Sequence, residues 1–278
     1  MARLTLGETW LEYDLHGGSG PRVLWIMGMG ATREAWRGQV AAFQHTHQQL
    51  TFDNPGIGGS GPIQGRLSVP GMAQDALLLM DHVGWESAHV VGVSLGGMVA
   101  QELALGARER VLSLSLLTTH GGGRGLEPLP PAGGLVLFLR QRFAVMRGQT
   151  KQSERLLMEL LFPPEALNGP AGQEAAEALG SVFAGRDRMD ALQAQTWAAV
   201  RHDTARRLHE LEGIRTLVVR SVQDRLVSPA AQAKLHARIP GAELFDLDEA
   251  GHGALSQCRD AINERLREHF GTAAGAVD

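Results

Sequence analysis

The stretch that most constrains this chain is His89-Val90-Val91-Gly92-Val93-Ser94-Leu95-Gly96-Gly97-Met98-Val99-Ala100-Gln101. A short β-branched run enters a serine flanked by glycines, and a helix-compatible segment leaves it. In that context the Gly-x-Ser-x-Gly pattern Gly92-Val93-Ser94-Leu95-Gly96 describes a strand-to-helix turn too tight for side chains at the flanking positions. The Ser94 hydroxyl is then held out from the sheet, with a helix N-terminus behind it that favours developing negative charge. Ser94 is therefore the candidate nucleophile of a nucleophile elbow. The plain alternative is a glycine-rich turn with a passenger serine.

The segments before the elbow follow an α/β rhythm. Leu4, Leu6, Trp10, Tyr13 and Leu15 alternate with polar neighbours and suggest an antiparallel hairpin that opens a sheet. Val23–Met27 is a continuous apolar run, as in a strand covered on both faces. Thr32 is placed to cap a helix through Trp36, Val40 and Phe43, and Leu50–Phe52 is the next strand. A helix is expected from about Ser68 to Val83, then the elbow strand and its helix, then a strand over Val111–Leu117. Strand and helix alternating in this way predict a mostly parallel, twisted sheet with helices on both faces.

The rhythm stops at Gly121. A Gly/Pro-rich lead-in through Pro131 precedes helical patterns at about 133–147, 151–162, 172–185 and 188–209, with no strand pattern among them. It resumes with a strand at Thr216–Ser221, a helix starting at Ser228-Pro229, a strand at Ala242–Leu247 and a helix over 253–270; the small-residue tail from Gly271 is expected to fray. The expected organisation is a core in two parts, 1–120 and 213–278, with an all-helical insertion, 121–212, capping the C-terminal edge of the sheet, where ligands bind in open α/β folds.

A serine hydroxyl needs a base, and the base needs a carboxylate to orient it. Of eleven histidines, His252 in Glu249-Ala250-Gly251-His252-Gly253 directly follows the last strand and stands on the same side as Ser94. Asp224 follows the strand at Thr216–Ser221, so serine, acid and histidine come in hydrolase order. Backbone donors for an oxyanion are expected from Leu95 N–H and, in the glycine-rich Gly28-Met29-Gly30 loop, from Met29 N–H. His120, at a strand end beside the insertion, is a candidate pocket residue, as are Gly28, Val227, Phe138 and Trp197. His202, His209 and His236 fall on expected helices and read as surface or interhelical. His45 and His47 lack neighbouring carboxylate or thiolate ligands, and no metal site is expected.

Composition narrows the partners. The net charge of −4 argues against a nucleic acid or an anionic membrane surface, and no apolar run approaches the roughly 20 residues of a membrane span. The single cysteine, Cys258, excludes an intrachain disulfide and reads as a small buried hydrophobe. With no apolar signal core at the N-terminus, the expectation is a cytoplasmic protein, monomer or homodimer.

Together, the elbow, the Asp53-Asn54-Pro55-Gly56-Ile57-Gly58-Gly59-Ser60 turn, His202-Asp203 before the returning strand and Gly251-His252-Gly253 resemble the α/β-hydrolase superfamily. Two positions depart from its pattern. Met27-Gly28 stands where His-Gly is usual, which keeps the backbone donor and removes a polar side chain that ties down the loop. Asp53-Asn54-Pro55-Gly56 stands where Asp-x-Arg-Gly is usual, which removes a cation near the site. A serine in place of aspartate disfavours dehalogenase and epoxide hydrolase chemistry.

The resemblance is greatest to small capped carboxylesterases, including enol-lactonases. It implies hydrolysis of a small or medium carboxylic ester or lactone through an acyl-enzyme on Ser94, without a cofactor. A ligand-sensing or signalling member with little turnover, and a perhydrolase or acyltransferase using the same triad, are the alternatives. The expected cap carries Leu135, Leu137, Phe138, Phe143, Met146, Leu157, Met158, Leu161, Phe162, Phe183 and Trp197, mostly to pack its helices, with a minority lining an apolar pocket. Arg140, Arg142 and Arg147 read as solvated helix charges.

Overall fold

Along the strand Arg22–Ile26, every side chain from Val23 onward is buried and successive residues serve opposite faces. Leu24 and Ile26 join one hydrophobic cluster, Val23 and Trp25 another. A period of two with both sides covered is how a strand behaves between two helical layers. The computed structural model describes residues 1–123, 130–182 and 189–271.

The strands are β1 (Ala2–Leu6), β2 (Thr9–His16), β3 (Arg22–Ile26), β4 (Gln48–Phe52), β5 (Ala88–Val93), β6 (Val111–Leu117), β7 (Thr216–Ser221) and β8 (Glu243–Leu247). They form one sheet in the order β1-β2-β4-β3-β5-β6-β7-β8. The β1–β2 hairpin and the β2–β4 pair are antiparallel, and every other pairing is parallel. After β3 the chain crosses to β4 on one side and then to β5 on the other. This reversal leaves a crevice at the C-terminal ends of β3 and β5, where open α/β sheets bind ligands.

The helices are α1 (Arg37–Phe43), α2 (Val69–His82), α3 (Leu95–Gly106), α4 (Ala132–Met146), α5 (Thr150–Leu161), α6 (Pro164–Leu167), α7 (Pro170–Val182), α8 (Met189–Arg201), α9 (Pro229–Arg238), α10 (Ala254–Gln257) and α11 (Arg259–Gly271). Met72 and Leu79 of α2, Met98 and Leu103 of α3, and Leu235 of α9 cover the Leu24 face. Phe43 of α1 and Ile262, Leu266 and Phe270 of α11 cover the Trp25 face. Ser68 begins α2 by accepting the Gly71 N–H, a cap worth about 1 kcal/mol. Helices α4–α8 lie between β6 and β7. Among the described residues no helix is long and apolar enough to cross a membrane.

Several boundaries differ from the sequence expectation. Thr32 precedes a 3₁₀ turn, Arg33–Trp36, and its buried hydroxyl has no partner among the described residues; its backbone carbonyl, not its side chain, accepts the Ala35 N–H. The helix expected over 188–209 ends at Arg201, because Thr204 N–H donates to Gly121 O and the chain turns back beside the end of β6. His202, expected on a helix at the surface or between helices, consequently lies just past the end of α8 and is buried. Pro163-Pro164 separates α5 from the short α6, which Pro164 begins at its first position. The last helix is broken at Cys258, which is half-buried against the Trp25-side core, with burial pushing its thiol pKa up. Phe183, the expected helix end near 185, the lead-in over 124–129 and the tail 272–278 lie outside the described residues.

Candidate active site

Ser94 has φ 55° and ψ −120°, a conformation that L side chains rarely adopt. Its neighbours show why the turn needs glycine. A Cβ on Gly92 would lie 2.2 Å from Gly96 O, and one on Gly96 would lie 2.1 Å from Ile26 O. Such strain costs about 1–3 kcal/mol and persists only where the surroundings over-determine it. Here Ser94 N–H donates to Leu117 O at 2.9 Å, and Ser94 O accepts from Thr119 Oγ1 at 2.7 Å and Gly97 N–H at 2.9 Å. The serine is thus fixed at the C-terminal end of β5, inside the crevice.

Two loops from distant parts of the chain converge on it. His252 Nε2 lies 3.0 Å from Ser94 Oγ, and His252 Nδ1 lies 2.8 Å from Asp224 Oδ2. Asp224 is 3% exposed, and every polar edge of its carboxylate is used. Oδ1 accepts from Leu226 N–H and Val227 N–H, both at 2.8 Å, and Oδ2 also accepts from Gln232 Nε2 at 3.1 Å. Because an ionised carboxylate only accepts, the Asp224 contact puts a proton on His252 Nδ1 and leaves Nε2 free to take the Ser94 proton. The His252 loop is anchored twice. Gly251 N–H donates to Gln257 Oε1, and Gly253 N–H to Leu161 O at the end of α5.

The loop after β3 reaches the same place. A Cβ on Gly28 would sit 3.2 Å from Ser94 Cβ, so the Gly28-Met29 backbone passes directly beside Ser94. Met29 and Leu95 both line the cavity that holds Ser94. Leu95 opens α3, and first-turn N–H groups lack an intrahelical acceptor. The two departures from the family pattern are compensated by residues the sequence reading did not single out. Asn54 Nδ2 donates to Met27 O at 2.8 Å, and Gln195 of α8 accepts from Gly30 N–H at 2.9 Å. A cation also stands at the second turn after all. Arg33 is buried and pairs with Asp53, with Asp14 at 2.6 Å and with Glu12 at 3.1 Å. Neither glutamine, Gln195 nor Gln232, carries a sequence signature. Each is a helix residue distinguished only by what its tertiary position touches.

The cavity has a volume of about 480 Å³ and a mainly apolar lining that includes Met29, Leu135, Phe138, Met158, Phe162 and Val227. Of the expected pocket residues, Gly28, His120, Val227 and Phe138 line it and Trp197 does not. Helix α8 presents Leu192, Thr196 and Ala199 to the cavity, which turns Trp197 outward; it is 51% exposed under the Arg201 guanidinium. Arg140 and Arg147 are exposed, as expected of solvated charges, whereas Arg142 is half-buried and lines the cavity. Phe143 and Met146 are also exposed rather than packed. At the cavity rim Glu174 of α7 bridges Arg37 and Arg259, and these guanidinium contacts hold its carboxyl below the ordinary range. His120 is buried, and burial drives its pKa down to about 4, so its ring is neutral. Among the described residues no group of three or more His, Cys, Asp or Glu side chains could hold a metal ion.

A reversed parallel sheet carrying a strained serine within hydrogen-bond reach of a histidine after its last strand defines a hydrolase scaffold. The alpha/beta hydrolase fold family matches residues 21–257, and the chain belongs to it. Among its relatives is RutD of Azorhizobium caulinodans, named as a candidate carbamate hydrolase, 31% identical over 267 residues that span 94% of each chain. Another is the dihydrolipoyllysine-residue acetyltransferase component of the acetoin cleaving system of Cupriavidus necator, 29% identical over 94% of this chain and 66% of that protein. In fold, the chain is similar to the enol-lactonase from Burkholderia xenovorans, with a TM-score of 0.83 at 20% identity over 97% of this chain and 100% of the other. It is likewise similar to a thermophilic esterase from Thermogutta terrifontis, with a TM-score of 0.82 at 21% identity over 98% and 99% of the two chains.

Proposed function

We propose that this protein is a serine hydrolase of small to medium carboxylic esters or lactones, with helices α4–α8 as a cap over its site. The observation that carries the reading is the relay from Ser94 Oγ to His252 Nε2 at 3.0 Å and from His252 Nδ1 to Asp224 Oδ2 at 2.8 Å. Ser94 Oγ attacks the substrate carbonyl carbon while its proton passes to His252 Nε2. Asp224 steadies the imidazolium, and the N–H groups of Met29 and Leu95 receive the oxyanion. The carbon–oxygen bond to the leaving alcohol breaks, and that oxygen takes the proton from His252. Water then attacks the acyl-enzyme, giving its proton to His252; the acid departs as Ser94 recovers the proton. Residues and water balance every step.

A carbamate carbonyl would suit the same relay, and the likeness to RutD brings it into consideration. The apolar lining and a volume of about 480 Å³ favour a larger, less polar acyl or alcohol group. The test is Ser94→Ala. It should abolish p-nitrophenyl butyrate turnover and labelling by a fluorophosphonate, and the wild type should label at Ser94. Undiminished turnover in Ser94→Ala would sink the proposal.

A further inference from the structure

His120 lies at the C-terminal end of β6, beside the strand that carries Ser94. Its position is set by two contacts, one of them braced by a third residue. Its carbonyl accepts from Gln101 Nε2 at 3.2 Å, and Gln101 Oε1 in turn accepts from the Thr204 hydroxyl at 2.6 Å. Its ring Nδ1 accepts the Gly122 N–H at 2.9 Å, across a turn in which Gly122 takes φ +69°. That last contact decides the chemistry. A backbone N–H can only donate, so Nδ1 is unprotonated and the proton of the neutral ring resides on Nε2.

Nε2 has no protein partner among the described residues, and His120 is 7% exposed, lining the cavity that contains Ser94 and His252. Burial, with the neighbouring His252 adding to it, keeps the ring from charging. His120 cannot act as a base, because its only free nitrogen already carries hydrogen. It is a fixed neutral donor aimed into a mainly apolar cavity. A bound substrate that shuts water out of the cavity leaves this donor unmatched unless it supplies an acceptor, so one that supplies an acceptor is preferred over one that does not.

The sheet order says which part of the substrate it meets. The loop after β3 lies on one side of Ser94, and His120 and His252 reach the site from the β6–β8 side. A carbonyl oxygen turned toward Met29 leaves the alcohol portion facing His252, and therefore facing His120. We infer that His120 Nε2–H is a specificity-determining donor for esters whose leaving alcohol carries a hydrogen-bond acceptor, such as an ether or carbonyl oxygen, a short distance beyond the scissile bond.

This inference rests on the serine-ester reading, and its test separates the two. The probes are butyl butanoate and 2-methoxyethyl butanoate, which have leaving groups of equal length that differ by one ether oxygen. An acyl-side pair, butyl pentanoate and butyl 3-methoxypropanoate, reports on the other half of the site. An asparagine at 120 keeps an acceptor for the Gly122 N–H but cannot reach the cavity. A glutamine reaches the cavity with its amide N–H. In His120→Asn the 2-methoxyethyl-to-butyl ratio of kcat/KM should fall about threefold to tenfold, as for one neutral hydrogen bond. In His120→Gln it should stay within about twofold of wild type. A ratio indifferent to both changes overturns the inference, and so does an equal loss in both variants or an effect confined to the acyl-side pair. If wild-type Ser94 labels with the fluorophosphonate and the esters turn over, such a result removes only the role of His120. If Ser94 does not label and no ester turns over, the serine-ester reading falls and takes this inference with it.

Discussion

Gln195 Oε1, on α8, accepts the Gly30 N–H at 2.9 Å, in the loop that supplies the proposed oxyanion donor. The same amide donates to Pro55 O at 3.4 Å, and the side chain is fully buried. One residue of α8 therefore fastens both loops at the C-terminal ends of β3 and β4 to the helices above them. Replacing it with leucine strands a buried N–H and a buried carbonyl, at about 1–3 kcal/mol for each group left unsatisfied. Gln195→Leu should lower the calorimetric Tm and cut kcat for p-nitrophenyl butyrate by about tenfold, with KM changed less. A lowered Tm with kcat intact would mean that the tie stabilises the fold without positioning Met29.

Asp224→Asn should cost more. An amide in place of the carboxylate can present N–H to His252 Nδ1, which forces the proton onto Nε2 and removes the acceptor for Ser94. Asp224 Oδ2 is the atom that meets both His252 and Gln232. A drop in kcat of about 10³–10⁴ is expected, with fluorophosphonate labelling of Ser94 slowed in parallel. Turnover within tenfold of wild type would remove Asp224 from the relay.

What the sequence disclosed depended on whether a residue's task is local. The elbow was legible because Gly92 and Gly96 answer to clashes within β5, α3 and the adjoining β3 loop, and tight turns restrict which residues can serve. That Asp224 and His252 come together beside Ser94 was legible because each follows a strand, and strands are readable from period-two patterning. Gln195 and Gln232 were not, since a buried glutamine on a helix looks like any surface glutamine until its partners are known. Arg33 was missed for the same reason. The second turn lacks the cation of the family pattern, and Arg33, from the segment after β3, reaches Asp53 through space in its place. Trp197 was misplaced because the phase of α8 about its axis, which sends Thr196 inward, follows from tertiary packing.

The two kinds of glycine environment give opposite expectations for alanine. At Gly96 the added Cβ meets backbone, Ile26 O at 2.1 Å and Met27 O at 2.7 Å, and backbone cannot move aside cheaply. Gly96→Ala should destabilise by about 1–3 kcal/mol in urea unfolding and depress kcat, because the displaced strand end carries Gly28 and Met29. Gly106, the last residue of α3, has nothing within 4 Å of an added Cβ. Gly106→Ala should stabilise by about 0.4–1 kcal/mol through the unfolded chain and leave kcat as it was. Equal effects at the two positions would contradict the packing described for the elbow.

Acid should unfold this protein through buried histidines that take no part in the Ser94–His252–Asp224 contacts. Burial is the largest cause lowering His89 and His202 to about 3 and His269 to about 4, from an ordinary 6.5. His89 is further disfavoured as a cation by His47, His269 and Arg215. The unfolded chain binds these protons near pH 6.5 and the folded chain does not, so the unfolded state holds more protons as pH falls. Stability contributed by the neutral rings is complete above about 6.5 and is lost progressively down toward 4 and 3. At pH 5 the loss should be about 2 kcal/mol for each of the three. Urea unfolding followed from pH 7 to pH 5 should show this decline. In His89→Asn, which keeps a polar group for the Ser113 contact at 2.8 Å but cannot titrate, the slope between pH 6 and pH 5 should fall by about one proton. A slope identical to wild type would assign the acid sensitivity to other groups.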